Sequence, residues 1–218
     1  MTKVGGKNII VVVTENHGKL GEIRDLLHGE GYNLISLAEY HHILPIDETG
    51  KTVEENARKK AVEGAKQTGH ITLADDSSLE IEALNGEPGV HAKRFLGLGA
   101  TQEERNWKIL ELMRDVRGEK RRARFRCAIA IAQPDGIFHL VQGECNGLIA
   151  ERPRGKRGFG YDPIFYVPRS GKTMAEMDPV VKNRISHRGR AMERAKGVLR
   201  EIFKGEEKKS GDPKGESD

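Results

Sequence analysis

The apolar residues of the chain switch between two periods, and the switches mark its elements. Asn8 to Val13, N-I-I-V-V-V, is a continuous β-branched run that predicts a strand buried on both faces. Thr14-Glu15-Asn16 interrupts it, and Leu20, Ile23, Leu26 and Leu27 then recur at helical spacing up to Gly29, with Asn16 as N-cap. Leu34 to Leu37 predicts another strand, and His41 to Gly50 a loop. Thr52-Val53-Glu54-Glu55 matches a capping box, opening a helix with Val53, Ala57, Ala61 and Ala65 on one stripe and Lys60 at its edge. Ile71 to Ala74 predicts a short strand ending at Asp75-Asp76, and Leu79, Ile81 and Ala83 predict a separate half-exposed one. A second capping box, Thr101 to Glu104, precedes a helix expected to turn Trp107, Leu110 and Met113 inward. The clearest hairpin joins Arg124–Ala132 to Ile137–Val141 through Pro134-Asp135-Gly136. Ser186 reads as the N-cap of a final amphipathic helix carrying Ala191, Ala195, Val198, Leu199 and Ile202. From 204 to 218 no aliphatic or aromatic residue occurs, which predicts a disordered charged tail.

Size and charge narrow this picture. A chain of 218 residues suits one substantial domain, or one domain folded as two lobes about a cleft. Its formal net charge of +4 is concentrated at Lys120, Arg121, Arg122, Arg124 and Arg126, a run read as a solvated face before a polyanion surface. Cys127 and Cys145 have no zinc or C-x-x-C spacing and read as reduced, buried thiols of an intracellular protein. With no apolar run near membrane-spanning length and no signal-peptide h-region, the expected location is the cytoplasm.

The candidate chemistry is scattered. Asp75-Asp76-Ser77-Ser78 taken alone reads as a solvated turn, but adjacent aspartates repel and call for a metal or a lysine nearby. His17 and Lys19 in the first turn of a helix, where a dipole favours acids, make an anion pocket with the free N–H groups. His187 and Arg188 open a second basic helix, and Gly155 to Pro163 is a glycine-rich loop with two aromatics. Gly171-Lys172-Thr173 lacks the earlier glycine of a P-loop, Gly158-Phe159-Gly160 supplies only part of a dinucleotide fingerprint, and no G-x-S-x-G elbow occurs. Cations for a polyphosphate, carboxylates for Mg²⁺ and aromatics for a planar base together point to a nucleotide.

These residues fall into ordered motifs. Thr14-Glu15-Asn16-His17-Gly18-Lys19, Glu55-Asn56-Ala57 with Lys60-Ala61, Ala74-Asp75-Asp76-Ser77, Leu84 to Val90, Gly158 to Phe165, Lys172 to Met177 and Ser186-His187-Arg188-Gly189 resemble the motifs of the inosine/xanthosine triphosphate pyrophosphatases, the Ham1-like non-canonical purine NTP pyrophosphatases. The resemblance runs from about Asn8 to Phe203. It implies an α/β fold, an elongated mixed β-sheet with flanking helices forming two lobes around a central cleft, as a single domain over residues 1–203. It implies a homodimeric, Mg²⁺-dependent enzyme, with no membrane or obligatory nucleic-acid partner, that hydrolyses ITP, dITP and XTP to the monophosphate and pyrophosphate. Carried over by motif, Thr14, Glu15, Asn16, His17, Gly18 and Lys19 would cradle the triphosphate, with Lys60 adding positive charge. Asp76 would be metal ligand and proton acceptor, Glu48 the second metal ligand, and Asp75 a supporting catalytic group. Ser77 would contact substrate, and Phe159, Gly160, Tyr161, Asp162, Lys182, His187 and Arg188 would hold the base.

Two positions depart from the family pattern. Glu15 replaces a commonly small residue, and its side chain is expected to point away from the phosphates. Ser78 replaces the glycine that usually follows Asp-Asp-Ser, where a positive φ would be costly. The competing readings are a pyrophosphatase for other modified nucleotides on the same fold and, from the Lys120 to Arg126 run, a nucleic-acid-binding module.

Overall fold

The computed structural model describes residues 8–210, with side chains described as far as residue 205. The buried run forms β1 (Ile9–Val13), followed by α1 (His17–Leu27), β2 (Asn33–Ser36) and α2 (Val53–Thr68). Next come β3 (Ile71–Ile81), β4 (Pro88–Gly89), α3 (Gln102–Leu112) and the long hairpin β5 (Arg122–Ala132) and β6 (Phe138–Ile149). β7 (Phe165–Val167), β8 (Lys172–Thr173), α4 (Pro179–Ile185) and α5 (His187–Ser210) complete the described chain. The strands form one mixed sheet in the order β2-β1-β3-β5-β6-β7-β8, with β4 paired to the far end of β3. β1 is parallel to both β2 and β3, and β3, β5, β6, β7 and β8 pair antiparallel in turn. This is the mixed α/β architecture expected.

β3 decides where the chemistry sits. It is one strand of 11 residues, not a short strand stopping at the aspartates followed by another. Asp75 and Asp76 pair with Ile129 and Ala128 in its middle, so the turn reading of Asp-Asp-Ser-Ser does not hold. Side chains alternate across a strand, so Ile71, Leu73, Asp75, Ser77, Leu79 and Ile81 share one face. Ile71 and Leu73 belong to a core formed with α1 and α5 through Ile23, Leu27, Ala191, Met192, Ala195 and Leu199. Leu79 and Ile81 belong to a second core, built with Ile109 and Met113 of the α3 region, Phe125, Ile149 and Phe165. Asp75 and Ser77 occupy the gap between these two cores. On the opposite face Ala57, Ala61 and Ala65 of α2 pack on Ala74, Ala128, Ala130 and Ala132, small residues that let the helix lie close to the sheet.

α5 must start against β6, and Gly143 permits it. A Cβ at Gly143 would collide with the backbone of His187 and Ala191. Ser186 caps the helix as expected, its Oγ accepting from Gly189 N at 3.0 Å.

Several local expectations are corrected. Leu110 and Met113 are buried as expected, but Trp107 is 53% exposed, and α3 turns Arg105, Asn106 and Ile109 inward beside them. Arg105 and Asn106 are retained inside by donating to the carbonyls of Phe95, Gly97 and Gly160. Ser78 lies in regular strand opposite Arg126 and is not among the residues with positive φ, so the expected backbone cost does not arise. Arg121 is no part of a solvated face: its buried guanidinium donates to the carbonyls of Met113, Val116, Ile149 and Ala150. Arg122, Arg124 and Arg126 pair with Glu119, Glu80 and Glu54. Cys127 and Cys145 are free and buried, as read. Where a disordered tail was expected from 204, α5 continues to Ser210, and residues 211–218 lie outside the described residues.

Candidate active site

The pleat of β3 sends its two aspartates into different surroundings. Asp76 points towards α2. Thr52 caps that helix, accepting from Glu55 N, and the helix stripe carries Asn56 and Lys60 four residues apart on the sheet side. Asn56 Nδ2 donates to Asp76 Oδ2 at 3.1 Å. Lys60 Nζ donates to Glu48 Oε1 at 2.7 Å, to the backbone oxygen of Asp75 at 2.7 Å and to Asp76 Oδ1 at 3.2 Å. Burial raises the Asp76 carboxyl above its usual range, and the nearby Glu48 charge adds to this, outweighing Lys60 and Lys19. Burial alone would lower Lys60, but Asp76 and Glu48 hold it above the ordinary lysine value, so it stays charged.

Asp75 points the other way, into the gap between the cores, and is fully buried. Arg188 donates to its Oδ2 through Nε at 3.0 Å and Nη2 at 2.9 Å, and Lys19 Nζ lies 3.2 Å from the same oxygen. Burial opposes ionisation here too, yet Lys19 and Arg188 win and hold the carboxyl far below its usual range. Asp75 Oδ1 has no hydrogen-bond partner among the described residues. The Cys127 thiol behind it is pushed up to about 12 by burial and the Asp75 charge, which keeps it protonated and inert.

Lys19 reaches this point through a wound turn at the start of α1. Asn16 N donates to Thr14 Oγ1 at 3.2 Å, and Asn16 Oδ1 accepts from Lys19 N at 3.1 Å. A Cβ on Gly18 would collide with the Phe159 ring, so the glycine admits that ring against the turn. Phe159 in turn lies 5.0 Å from Lys182 Nζ and 5.5 Å from the Arg188 guanidinium, measured to its centroid. Asp162 Oδ2 accepts from Phe159 N at 2.9 Å and pairs closely with Lys182. His187 stacks on Phe125 at 4.6 Å, with Nδ1 unpartnered among the described residues. Burial, reinforced by Arg188 and Lys182, holds His187 well below the ordinary imidazole value, so it is neutral at pH 7.

Most residues singled out from the sequence thus meet around the middle of β3. Three side chains lie elsewhere. Glu15 is 91% exposed and turned outward, 3.4 Å from Lys93. Tyr161 packs in the far core, donating to Ala92 O at 2.7 Å, and burial pushes its hydroxyl up to about 12. His17 begins α1, where its ring takes part in none of the side-chain hydrogen bonds found among the described residues. Ser77 joins the cluster through Arg188 Nη2 at 3.2 Å.

Two residues of the cluster had no role assigned from the sequence, Glu22 and, although it falls in a motif, Asn56. Glu22 bridges the two cations of the second basic helix region, Oε1 lying 2.7 Å from Lys182 and Oε2 2.6 Å from Arg188. Its signal is an acid three residues after Lys19, one turn along the same helix face. Asn56 has a similar signal, an amide four residues before Lys60 on the alanine stripe. With Glu22 included, five carboxylates (Glu22, Glu48, Asp75, Asp76, Asp162) share four cations (Lys19, Lys60, Lys182, Arg188), so the described cluster carries one excess negative charge.

A profile of the Ham1 family matches residues 10–198. A protein named dITP/XTP pyrophosphatase from Desulforamulus reducens is 44% identical over 194 residues, covering 89% of this chain and 96% of the relative. One of the same name from Thermus thermophilus is 49% identical over 183 residues, 84% of this chain and 87% of the relative. Among solved structures, a HAM1 protein from Coxiella burnetii superposes with a TM-score of 0.80 at 45% identity, covering 89% of this chain and 99% of that one. The Staphylococcus aureus Ham1 protein gives 0.79 at 37% identity, covering 89% and 100%.

Proposed function

The chain belongs to the Ham1 family, and on that premise we propose that its cluster hydrolyses non-canonical purine nucleoside triphosphates, ITP, dITP and XTP, to the monophosphate and pyrophosphate. The observation that carries this reading is the gap in the apolar face of β3, where buried carboxylates and cations converge beside an aromatic ring. A buried ionic cluster of this size is costly to desolvate, and a strand that only had to pack would fill the gap with apolar side chains.

The donor set suits Mg²⁺. Glu48 and Asp76 already converge on one positive charge, the Lys60 ammonium, and the cluster has an acidic surplus. Hard carboxylate oxygens, one or two per ion with phosphate oxygens completing the shell, are what Mg²⁺ takes. When bound by Glu48 and Asp76 it would neutralise charge on the phosphate oxygens. The protein's own groups do the rest. Asp76 accepts a proton from the water that attacks the α-phosphorus, as the bond to the β-phosphate oxygen breaks and pyrophosphate leaves. Lys19 and Lys60 meet the charge that develops on the leaving group. Asp75, tied to Arg188 and Lys19, is a poor base and serves to fix those cations.

A base stacked on Phe159 presents its edge to the donors of Lys182 and Arg188. A 6-keto oxygen accepts from them, whereas a 6-amino group faces donor against donor, a mismatch that discriminates by orders of magnitude. GTP shares the 6-keto group, so selection against it rests on the 2-position. The enzyme is further proposed to work as one domain over residues 1–203, as a homodimer, and in the cytoplasm; no helix among the described residues is long and apolar enough to cross a membrane. Pyrophosphate release from ITP, dITP, XTP, GTP and ATP, with Mg²⁺ and with EDTA, tests the reading. Metal-dependent release is expected from the first three, with GTP and ATP at least about a hundredfold lower in kcat/KM. Equal kcat/KM across the panel contradicts it.

A further inference from the structure

The two carboxylates proposed to hold the metal come from separate elements. Asp76 is fixed in the middle of β3, whereas Glu48 lies on the irregular segment that precedes α2. Two side chains of α2 tie them together. Lys60 does so with a charge, its Nζ shared by Glu48 Oε1 at 2.7 Å and Asp76 Oδ1 at 3.2 Å. Asn56 does so without one. Its Oδ1 accepts from Gly50 N at 2.8 Å, two residues after Glu48, and its Nδ2 donates to Asp76 Oδ2 at 3.1 Å.

The neutral tie is the durable one. A divalent cation drawn to Glu48 and Asp76 repels the Lys60 ammonium but takes nothing from an amide bonded to a backbone N–H and to the other carboxylate oxygen. The amide fits only one way round, since the reverse would set Nδ2 against the Gly50 N–H and Oδ1 against a carboxylate. With Oδ2 so held, Oδ1 is the oxygen turned to Lys60 and Glu48. Asn56 is 2% exposed, so loss of either bond strands a polar group away from water. Two further ties on this segment, Lys51 N to Glu55 Oε2 and Lys59 Nζ to Thr49 Oγ1, are exposed.

Gly50 makes the close approach possible. A Cβ there would stand 2.7 Å from Asn56 Oδ1 and 2.7 Å from Glu55 Cβ. Gly50 is not among the residues with positive φ, so its missing side chain serves this contact and not the backbone conformation.

We propose that Asn56 is the positioning residue of the metal site, one amide that sets both the rotation of the Asp76 carboxylate and the placement of the segment carrying Glu48. This rests on the metal reading of Glu48 and Asp76 and deepens it. Partners that orient metal-binding carboxylates in this way are worth about 10- to 100-fold in metal affinity. Gly50 and Asn56 then act as one unit, and loss of either releases Glu48 from Asp76.

The test titrates Mn²⁺ into wild type, Asn56→Ala, Gly50→Ala, the double variant and Glu48→Gln without nucleotide, following the free-ion electron paramagnetic resonance signal. The Mn²⁺ dissociation constant is expected to rise about 10- to 100-fold in Asn56→Ala and in Gly50→Ala, and no further in the double variant. The Mg²⁺ concentration needed for half-maximal turnover rises in parallel, while KM for ITP at saturating Mg²⁺ stays within about twofold. Hydrogen exchange over residues 46–51 of the metal-free protein should quicken in each of these three variants. Unchanged Mn²⁺ binding in Asn56→Ala, effects of the two substitutions that add, or unaltered exchange would overturn the assignment. If Asn56→Ala does not fold, Gly50→Ala, which alters no polar group, decides by the same constants. Wild type that binds Mn²⁺ no better than Glu48→Gln would instead overturn the metal reading on which the assignment rests.

Discussion

Asp75 and Asp76 are neighbours in sequence and opposites in circumstance. Asp75 faces the gap between two apolar cores, fully buried, its charge made permanent by Arg188 and Lys19. Asp76 faces α2, less deeply covered, where burial raises its proton affinity despite Lys60. A strand separates adjacent side chains onto two faces, which a helix or turn would not do so completely. Two identical carboxyl groups can therefore be given different jobs, a fixed anion that orders cations and a base that takes a proton. The pairing of environments that push two titratable groups apart is a recurrent mark of acid–base division.

Substitutions should separate the two roles, beginning with the largest effect. Asp76→Asn is expected to lower kcat about 10³-fold or more while leaving stability unchanged or slightly raised, since it removes a buried charge whose ionisation is disfavoured. Asp75→Asn leaves Arg188 and Lys19 without their common anion and should cost about 3 kcal/mol of stability, visible as a lower denaturation midpoint. Glu22→Gln weakens the bridge between Lys182 and Arg188 by about 2 kcal/mol. It should raise KM for ITP without altering inhibition by pyrophosphate, which would mark Glu22 as acting on the base side of the site.

The smallest effect is on pH dependence. His187 is held below its unfolded value of 6.5, so the folded state takes up its proton less readily than the unfolded chain. Stability is then full above pH 6.5 and declines as pH falls through it, by at most about 1.4 kcal/mol per pH unit. Asp75 adds a second loss as pH falls below its unfolded 3.8, whereas Asp76, shifted upward, works in the opposite direction above that value, adding stability as pH falls through its raised folded pKa towards 3.8. His187→Phe, which keeps a ring on Phe125, should flatten the slope between pH 6.5 and 5 whatever it does to stability at pH 7. An unaltered slope would remove His187 from this account.

Periodicity made β1, α2, the β5–β6 hairpin and the start of α5 legible, because in each the apolar pattern agrees with the observed packing. It failed at β3 for a physical reason. Asp75 and Ser77 occupy positions on the face where Leu73 and Leu79 are buried, and their polarity breaks the alternation that identifies a strand. The candidate site residues themselves thus concealed the element that carries them. α3 misled in the reverse sense: Trp107 reads as core, but Arg105 and Asn106 take the inner positions by binding backbone carbonyls. Glu22 and Asn56 received no role because a single polar residue on a helix is ordinary until its partner on another element is known. Motif resemblance brought together residues more than a hundred positions apart, such as Asp75 and Arg188, which no local pattern could join.

The division of labour between the two aspartates is tested most directly by measuring pyrophosphate release from ITP and the thermal midpoint together, on Asp75→Asn and Asp76→Asn prepared side by side. Asp76→Asn is expected to melt at or above the wild-type temperature with turnover lost, and Asp75→Asn to melt several degrees lower, about 2–4 °C for each kcal/mol. Ordinary turnover by Asp76→Asn, or a midpoint that falls as far for Asp76→Asn as for Asp75→Asn, would contradict it.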